Sequence, residues 1–113
     1  MNQIKRQRLE KRILRLVADL YFKELKDPNI GFATFTRCEL SNDGSQARLF
    51  VSVYEEAAEK TKTLEALQRA RGFIRSRIGK VISARIIPSV DFVLDESLEK
   101  ADRIDQLLDG PAN

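Results

Sequence analysis

The chain has 113 residues, 42% hydrophobic and 33% charged, which suits one soluble globular domain and is too apolar for disorder. Histidine is absent and Cys38 is the only cysteine, which excludes Ser–His and Cys–His dyads, imidazole acid–base chemistry, His-ligated metals, disulfides within the chain and Cys-rich zinc clusters. The formal net charge is +3, no apolar run approaches the ~18 residues of a membrane helix, and the start is polar and basic, unlike a secretory signal peptide.

Residues from about Lys5 to Lys26 read as a long amphipathic helix, because Leu9, Ile13, Leu16, Val17 and Leu20 recur at spacings of three and four. Arg8, Lys11, Arg12, Arg15 and Lys26 cluster on an adjoining face that only Asp19 interrupts. Pro28 disfavours helical geometry at the residue before it and ends the helix. A strand is expected from about Phe32 to Leu40, then a turn at Ser41-Asn42-Asp43-Gly44, where Asp-Gly suits a positive φ. A second strand follows from about Gln46 to Tyr54. Its Ala47, Leu49, Val51 and Val53 alternate with Arg48, Phe50, Ser52 and Tyr54, and the two strands form an antiparallel hairpin.

Glu55 to Lys62 reads as a polar connection. A helix then runs from about Thr63 to Ala70 or Arg71, with Leu64 and Leu67 facing inward. Gly72 interrupts it, and helical periodicity resumes with Ile74, Ile78, Val81 and Ile82, so a kink is expected at Gly72. The third strand spans about Arg85 to Leu94, with Ile86, Pro88, Val90, Phe92 and Leu94 on one face. Pro88 cannot donate to a ladder, which points to an edge strand or a bulge. Asp95 is placed to cap a short last helix with Leu98, Ala101, Ile104 and Leu108 on its apolar side, and residues 110–113 fray.

The order α-β-β-α-kink-α-β, plus a short C-terminal helix, is an α+β arrangement with helices packed on one face of a three-stranded sheet. Charge is unevenly spread along it. Six cations from Lys5 to Arg15 face Glu10 alone. Residues 66–90 carry Arg69, Arg71, Arg75, Arg77, Lys80 and Arg85 and no acid. The chain from Asp91 onward is acidic. Two basic blocks indicate a polyanionic partner, nucleic acid first.

Five segments in this order are similar to the ribosome-binding factor A family: Lys26-Asp27-Pro28-Asn29-Ile30, Ser41-Asn42-Asp43, Ala47-Arg48-Leu49-Phe50-Val51-Ser52, Ala70-Arg71-Gly72-Phe73-Ile74-Arg75, and Arg85-Ile86-Ile87-Pro88-Ser89-Val90-Asp91-Phe92 with Asp95-Glu96-Ser97. The resemblance implies a type II KH-like RNA-binding domain over residues 1–94, with the acidic helix and tail of 95–113 belonging to the same domain. It also implies that the usual Gly-x-x-Gly loop is replaced by a kink at Ala70-Arg71-Gly72. The implied function is a non-catalytic, monomeric, cytoplasmic assembly factor without cofactor or metal. It would bind 16S ribosomal RNA on the free, immature small subunit, assist its processing, act in cold adaptation, and leave before translation. Two departures stand out: the C-terminus is short and acidic where relatives often carry a longer basic extension, and Ser89-Val90 replaces an acid and a leucine.

On physical grounds Arg71 and Arg75 lie a turn apart and can bridge successive phosphates, with Arg77, Lys80 and Arg85 further round and Gly72 allowing close backbone approach. Arg8, Arg12 and Arg15 make the first helix the second candidate RNA surface. Phe73 points away from the Ile74–Ile78 stripe, either to stack on a base or to pack at the kink. The alternatives are a DNA-binding helix-turn-helix with Gly72 in its turn, or a protein-interaction module using the acidic end. Against the first, Asn and Gln are absent from Arg69 to Arg85, where base-reading residues would stand. Asp91, Asp95 and Glu96 lack a phosphate-binding loop beside them, so an acidic helix start explains them better than a metal site.

Overall fold

The computed structural model describes residues 1–25 and 27–97. The element order is α1 (Gln3–Lys23), β1 (Ala33–Leu40), β2 (Gln46–Val53), α2 (Ala57–Arg69), α3 (Arg71–Val81) and β3 (Ser89–Leu94). The strands form one sheet in the order β1-β2-β3, with β1 antiparallel and β3 parallel to β2. The expected helix beyond Asp95, with Leu98, Ala101, Ile104 and Leu108, lies outside the described residues, as does Lys26, where the first helix is expected to end; α1 already stops at Lys23, with Glu24 as its C-cap.

β2 is central, and its alternation decides the layering. Leu49, Val51 and Val53 are buried on the helix side, beside Cys38 of β1 and Val90 and Phe92 of β3. The helices cover them with Ile13, Val17 and Leu20 from α1, Leu67 from α2, and Ile74 and Ile78 from α3. Each large aliphatic side chain buried this way contributes about 1.5–3 kcal/mol. All three helices therefore sit on one face of the sheet, as the sequence pattern predicts.

Three element starts differ from the sequence reading by two residues or more. α1 starts at Gln3 because the Asn2 side chain accepts the Lys5 N–H at 2.8 Å and caps the helix. α2 starts at Ala57, so most of the expected polar connection is helical; its first turns bury nothing, and only Thr63, Ala66 and Leu67 are covered. β3 starts at Ser89. Residues 85–88 are not strand, and Ile86 is exposed and does not face the core, although Pro88 is buried. Val81, at the end of α3, is also exposed and does not extend the core stripe. The edge position expected from Pro88 holds for β3, whereas the sheet's irregularity is in β1, between Phe35 and Arg37.

The hairpin turn follows the Asp-Gly expectation. Gly44 has φ 76°, and Asp43 accepts from the Ser45 N–H and from the hydroxyls of Ser41 and Ser45. Those hydrogen bonds hold the Asp43 carboxyl down at about 2.

Both sheet edges are occupied by helix side chains. On β1 the Leu40 N–H donates to Glu10 of α1 at 2.7 Å. On β3 the Gln68 side-chain amide donates to the Phe92 carbonyl at 3.1 Å and accepts from the Phe92 N–H at 3.4 Å, standing in for a missing strand.

The approach to β1 is pinned by side chains. Buried Thr63 accepts the Gly31 N–H at 3.0 Å and donates to the Asn29 carbonyl at 3.3 Å. Tyr21 donates to the Gly31 carbonyl at 2.9 Å and accepts the Ala33 N–H at 3.2 Å. The Glu55 carboxylate lies where a Gly31 Cβ would stand and accepts the Phe32 N–H. Thr63→Val strands two backbone groups and should lower unfolding free energy by about 1–3 kcal/mol, read from the urea midpoint at unchanged slope.

Burial, with Glu10 and Glu39 nearby, pushes the Cys38 thiol up from its ordinary 9.0 to about 12. The folded chain keeps a proton that the unfolded chain releases, so this group lowers stability as pH rises from about 9 toward 12. Cys38→Ala should make the decline of melting temperature over that range shallower than in the parent protein.

Candidate nucleic-acid interface

The helix junction is a one-residue break. α2 ends at Arg69, α3 begins at Arg71, and Ala70 between them has φ −84° and ψ 0°. The Ala70 N–H is shared between the Ala66 and Leu67 carbonyls, at 3.2 and 3.0 Å, while its own carbonyl accepts the Ile74 N–H. The break therefore falls at Ala70, and Gly72, expected to form it, lies inside the first turn of α3. Its backbone does not need glycine: among the described residues only Gly44 has a positive φ, and a Cβ on Gly72 meets nothing within 4 Å. What Gly72 supplies is a bare, exposed backbone at a helix start, which suits a phosphate.

The junction is tied to the edge of β3. Besides its bonds to Phe92, Gln68 donates to Asp91 at 2.9 Å. Arg71 donates through Nε to the Gln68 carbonyl at 2.9 Å, and its Nη1 stands 4.0 Å from Asp91. Arg75 donates to the Ile87 carbonyl at 3.2 Å. Arg77 lies 3.0 Å from Glu24 of the turn after α1 and stacks 5.1 Å from the Phe73 ring centroid. Arg69 lies 3.5 Å from Asp27. The stretch without acids in sequence is thus supplied with acids in space. Phe73 is 40% exposed, with the Arg77 guanidinium over its ring, and lines a shallow cavity of about 300 Å³ together with Glu24, Leu25, Ile30 and Ala66.

α1 is different. Glu10, the one acid in its basic block, turns inward to β1. Arg8, Lys11, Arg12 and Arg15 are exposed and have no ion pair or hydrogen bond among the described residues. At ~100° per residue they face away from buried Ile13, Val17 and Leu20, so the basic face is opposite the core and not merely beside it. Lys80 and Arg85 are likewise exposed and unpaired.

The predicted residues fall into two groups. Ala70, Arg71, Gly72 and Arg75 gather at the junction, with Arg77 drawn toward α1, while Arg8, Arg12 and Arg15 form a separate unpaired face. Sequence reasoning missed Gln68, Glu24, Asp27 and Asp91, the partners that place the junction. Contacts across 23 residues, such as Gln68 to Asp91, leave no local periodicity to find. Among the described residues no group of three or more His, Cys, Asp or Glu is placed to hold a metal ion.

The model of the family described as ribosome-binding factor A matches residues 5–108. A ribosome-binding factor A from Natranaerobius thermophilus is 37% identical over 108 residues, 96% of this chain and 82% of the relative. Among solved structures, a solution structure from Thermotoga maritima described as a ribosome binding factor A is 34% identical. Its TM-score is 0.74, over 88% of this chain and 95% of that one. A homology model of the Thermus thermophilus ribosome binding factor A, fitted into a cryo-electron-microscopy map of a 30S complex, is 25% identical. Its TM-score is 0.64, over 80% of this chain and 96% of that one.

Because Gly72 is helical with open space around it, Gly72→Ala should leave the unfolding free energy unchanged or raise it by up to ~1 kcal/mol of helix propensity, read as an unchanged or higher melting temperature. A drop in melting temperature would show that the junction needs glycine's backbone freedom.

Proposed function

The chain belongs to the ribosome-binding factor A family, and from this we propose that it is a non-catalytic assembly factor. It binds the immature small ribosomal subunit through 16S ribosomal RNA and assists processing of that RNA. It acts as a cytoplasmic monomer, contributes to cold adaptation, and leaves before translation begins. The Thermus thermophilus protein fitted into a 30S complex supports the small subunit as partner. No helix among the described residues is long and apolar enough to cross a membrane.

The observation that carries the RNA assignment is the unpaired cationic face of α1. Arg8, Lys11, Arg12 and Arg15 have no acid to leave before meeting phosphate. The junction adds Gly72's bare backbone with Arg71 and Arg75, each of which spends one donor on a backbone carbonyl; Arg75 keeps its others for phosphate oxygens, and Arg71 shares its guanidinium with Asp91.

Co-sedimentation tests the partner: association with free small subunits and little with complete ribosomes is expected, and equal binding to large subunits overturns the assignment. Salt dependence tests the surface. Arg8→Ala/Arg12→Ala/Arg15→Ala should flatten the log–log salt slope of binding by roughly 2, at about 0.7–0.9 per phosphate contact. Arg71→Ala/Arg75→Ala should flatten it by up to roughly 1.5. If the triple variant keeps the parent's slope and affinity, α1 is not the RNA surface.

A further inference from the structure

The sheet face away from the helices carries a cavity of its own. It lies over residues 39–41 at the end of β1 and the start of the hairpin turn, 46–48 of β2 and 89–91 of β3, and holds about 400 Å³. The register sets Glu39 beside Arg48 and Arg48 beside Asp91 in one row across the sheet. Leu40, Ala47 and Val90 in the next row point to the helices and are buried, so the side chains of the flanking rows stand on the open side. Ser41, Gln46 and Ser89 complete the lining, and Arg71 enters from the helix junction over the edge of β3.

The charges in this cavity are not balanced. Glu39 is 3.2 Å from Arg37, whose guanidinium also stacks 3.9 Å from the Phe50 ring centroid. Asp91 is held by Gln68 and Arg71. Arg48 is exposed and has no partner among the described residues. Both carboxylates are answered by neighbours, and one guanidinium with its full set of donors is left facing a polar hollow the size of a small ligand. Arg71 belongs to the wall of this hollow and to the junction at once, so one side chain is shared by the two places.

We propose that this cavity takes one nucleotide of a single-stranded RNA segment, with its phosphate between Arg48 and Arg71 and the amino edge of its base against Glu39 and Asp91. Forked guanidinium donors suit phosphate oxygens, and carboxylates accept from base amino groups. Sequence-specific RNA recognition favours such unpaired, splayed bases. This inference rests on the RNA-binding reading above and adds a second contact on the opposite side of the sheet.

Arg48→Ala tests it, with Arg48→Lys beside it and the α1 triple alanine variant as reference. Each is assayed against free small subunits and against protein-free 16S ribosomal RNA, with thermal unfolding to confirm the fold. Arg48 is exposed on its strand, so its melting temperature should match the parent's. Arg48→Ala should weaken binding to both partners roughly tenfold and lower the salt slope by about 0.7. Lysine should restore the slope but only part of the affinity, because it keeps the charge and loses the fork. If Arg48→Ala binds like the parent while the α1 variant does not, the cavity is not an RNA site and the RNA-binding reading stands. If Arg48→Ala weakens binding to subunits but not to protein-free RNA, the cavity meets a ribosomal protein and the nucleotide assignment falls. If neither variant changes binding, the cavity is not an RNA site and the proposal falls, while the RNA reading then rests on the junction; if the parent protein itself does not bind protein-free 16S ribosomal RNA, the RNA reading fails and takes this proposal with it.

Discussion

The burial of one side of β2 is the constraint from which the other features follow. Leu49 and Val51 are sealed from solvent, and the atoms that seal them come from helices distant in sequence. A central strand buried on one side obliges each covering helix to give its apolar stripe to the same face. α1 gives Ile13 and Val17, and α3 gives Ile74 and Ile78. A helix with one side so committed turns the other to water, and in this sequence that side is basic in both. Separation of the charged faces from the core is thus a consequence of packing two amphipathic helices on a sheet whose alternation has period two.

A three-stranded sheet has two edges, and the contacts that cover them also position the candidate interface. Glu10 satisfies the outer N–H of Leu40, which removes the only acid of the basic block from α1's solvent face. Gln68 satisfies Phe92 on the other edge, and because it sits two residues before Ala70 it fixes the end of α2 against β3. Arg71 then closes onto the Gln68 carbonyl and Asp91. Edge protection and placement of the helix junction are the same set of bonds, so weakening one moves the other.

The sequence was most legible where one period ran without competition. The alternation of Ala47, Leu49, Val51 and Val53 placed β2 within a residue, and the Asp43-Gly44 pair placed its turn. The stripe of α1 was equally plain, although its start depended on the Asn2 side chain and not on periodicity. Legibility failed where a local preference was overruled or absent. The first turns of α2 bury nothing, so no stripe announces them. Gly72 has the weaker helix propensity, yet Ala70 forms the break, because its N–H finds two carbonyls there and the tie to β3 begins at Gln68. Residues 85–88 continue the alternation toward β3, but Pro88 has no N–H for β2, and ladder bonding begins at the Ser89 N–H to the Ser45 carbonyl. The candidate cations are picked out by residue type and the helix junction by its motif, whereas the pairing of each cation depends on long-range contacts that one-dimensional charge counting cannot resolve.

That pairing bears on how the two basic surfaces would meet a polyanion. An arginine such as Arg77 must give up Glu24 to bind a phosphate, and the released carboxylate then stands close enough to repel it. The gain from such a residue is the difference between two ion pairs. Arg12 or Arg15 on α1 exchanges only water and counterions, so its full electrostatic contribution is available. The same bonds that reduce the net attraction at the junction fix its side chains in place, which limits the conformational entropy lost on binding. An exposed, unpaired row of cations suits long-range attraction and register-tolerant contact, and a braced set beside a bare helix start suits a particular backbone geometry. The two surfaces differ in this way because α1 spends Glu10, the acid of its basic block, on a sheet edge and α3 borrows acids from its neighbours.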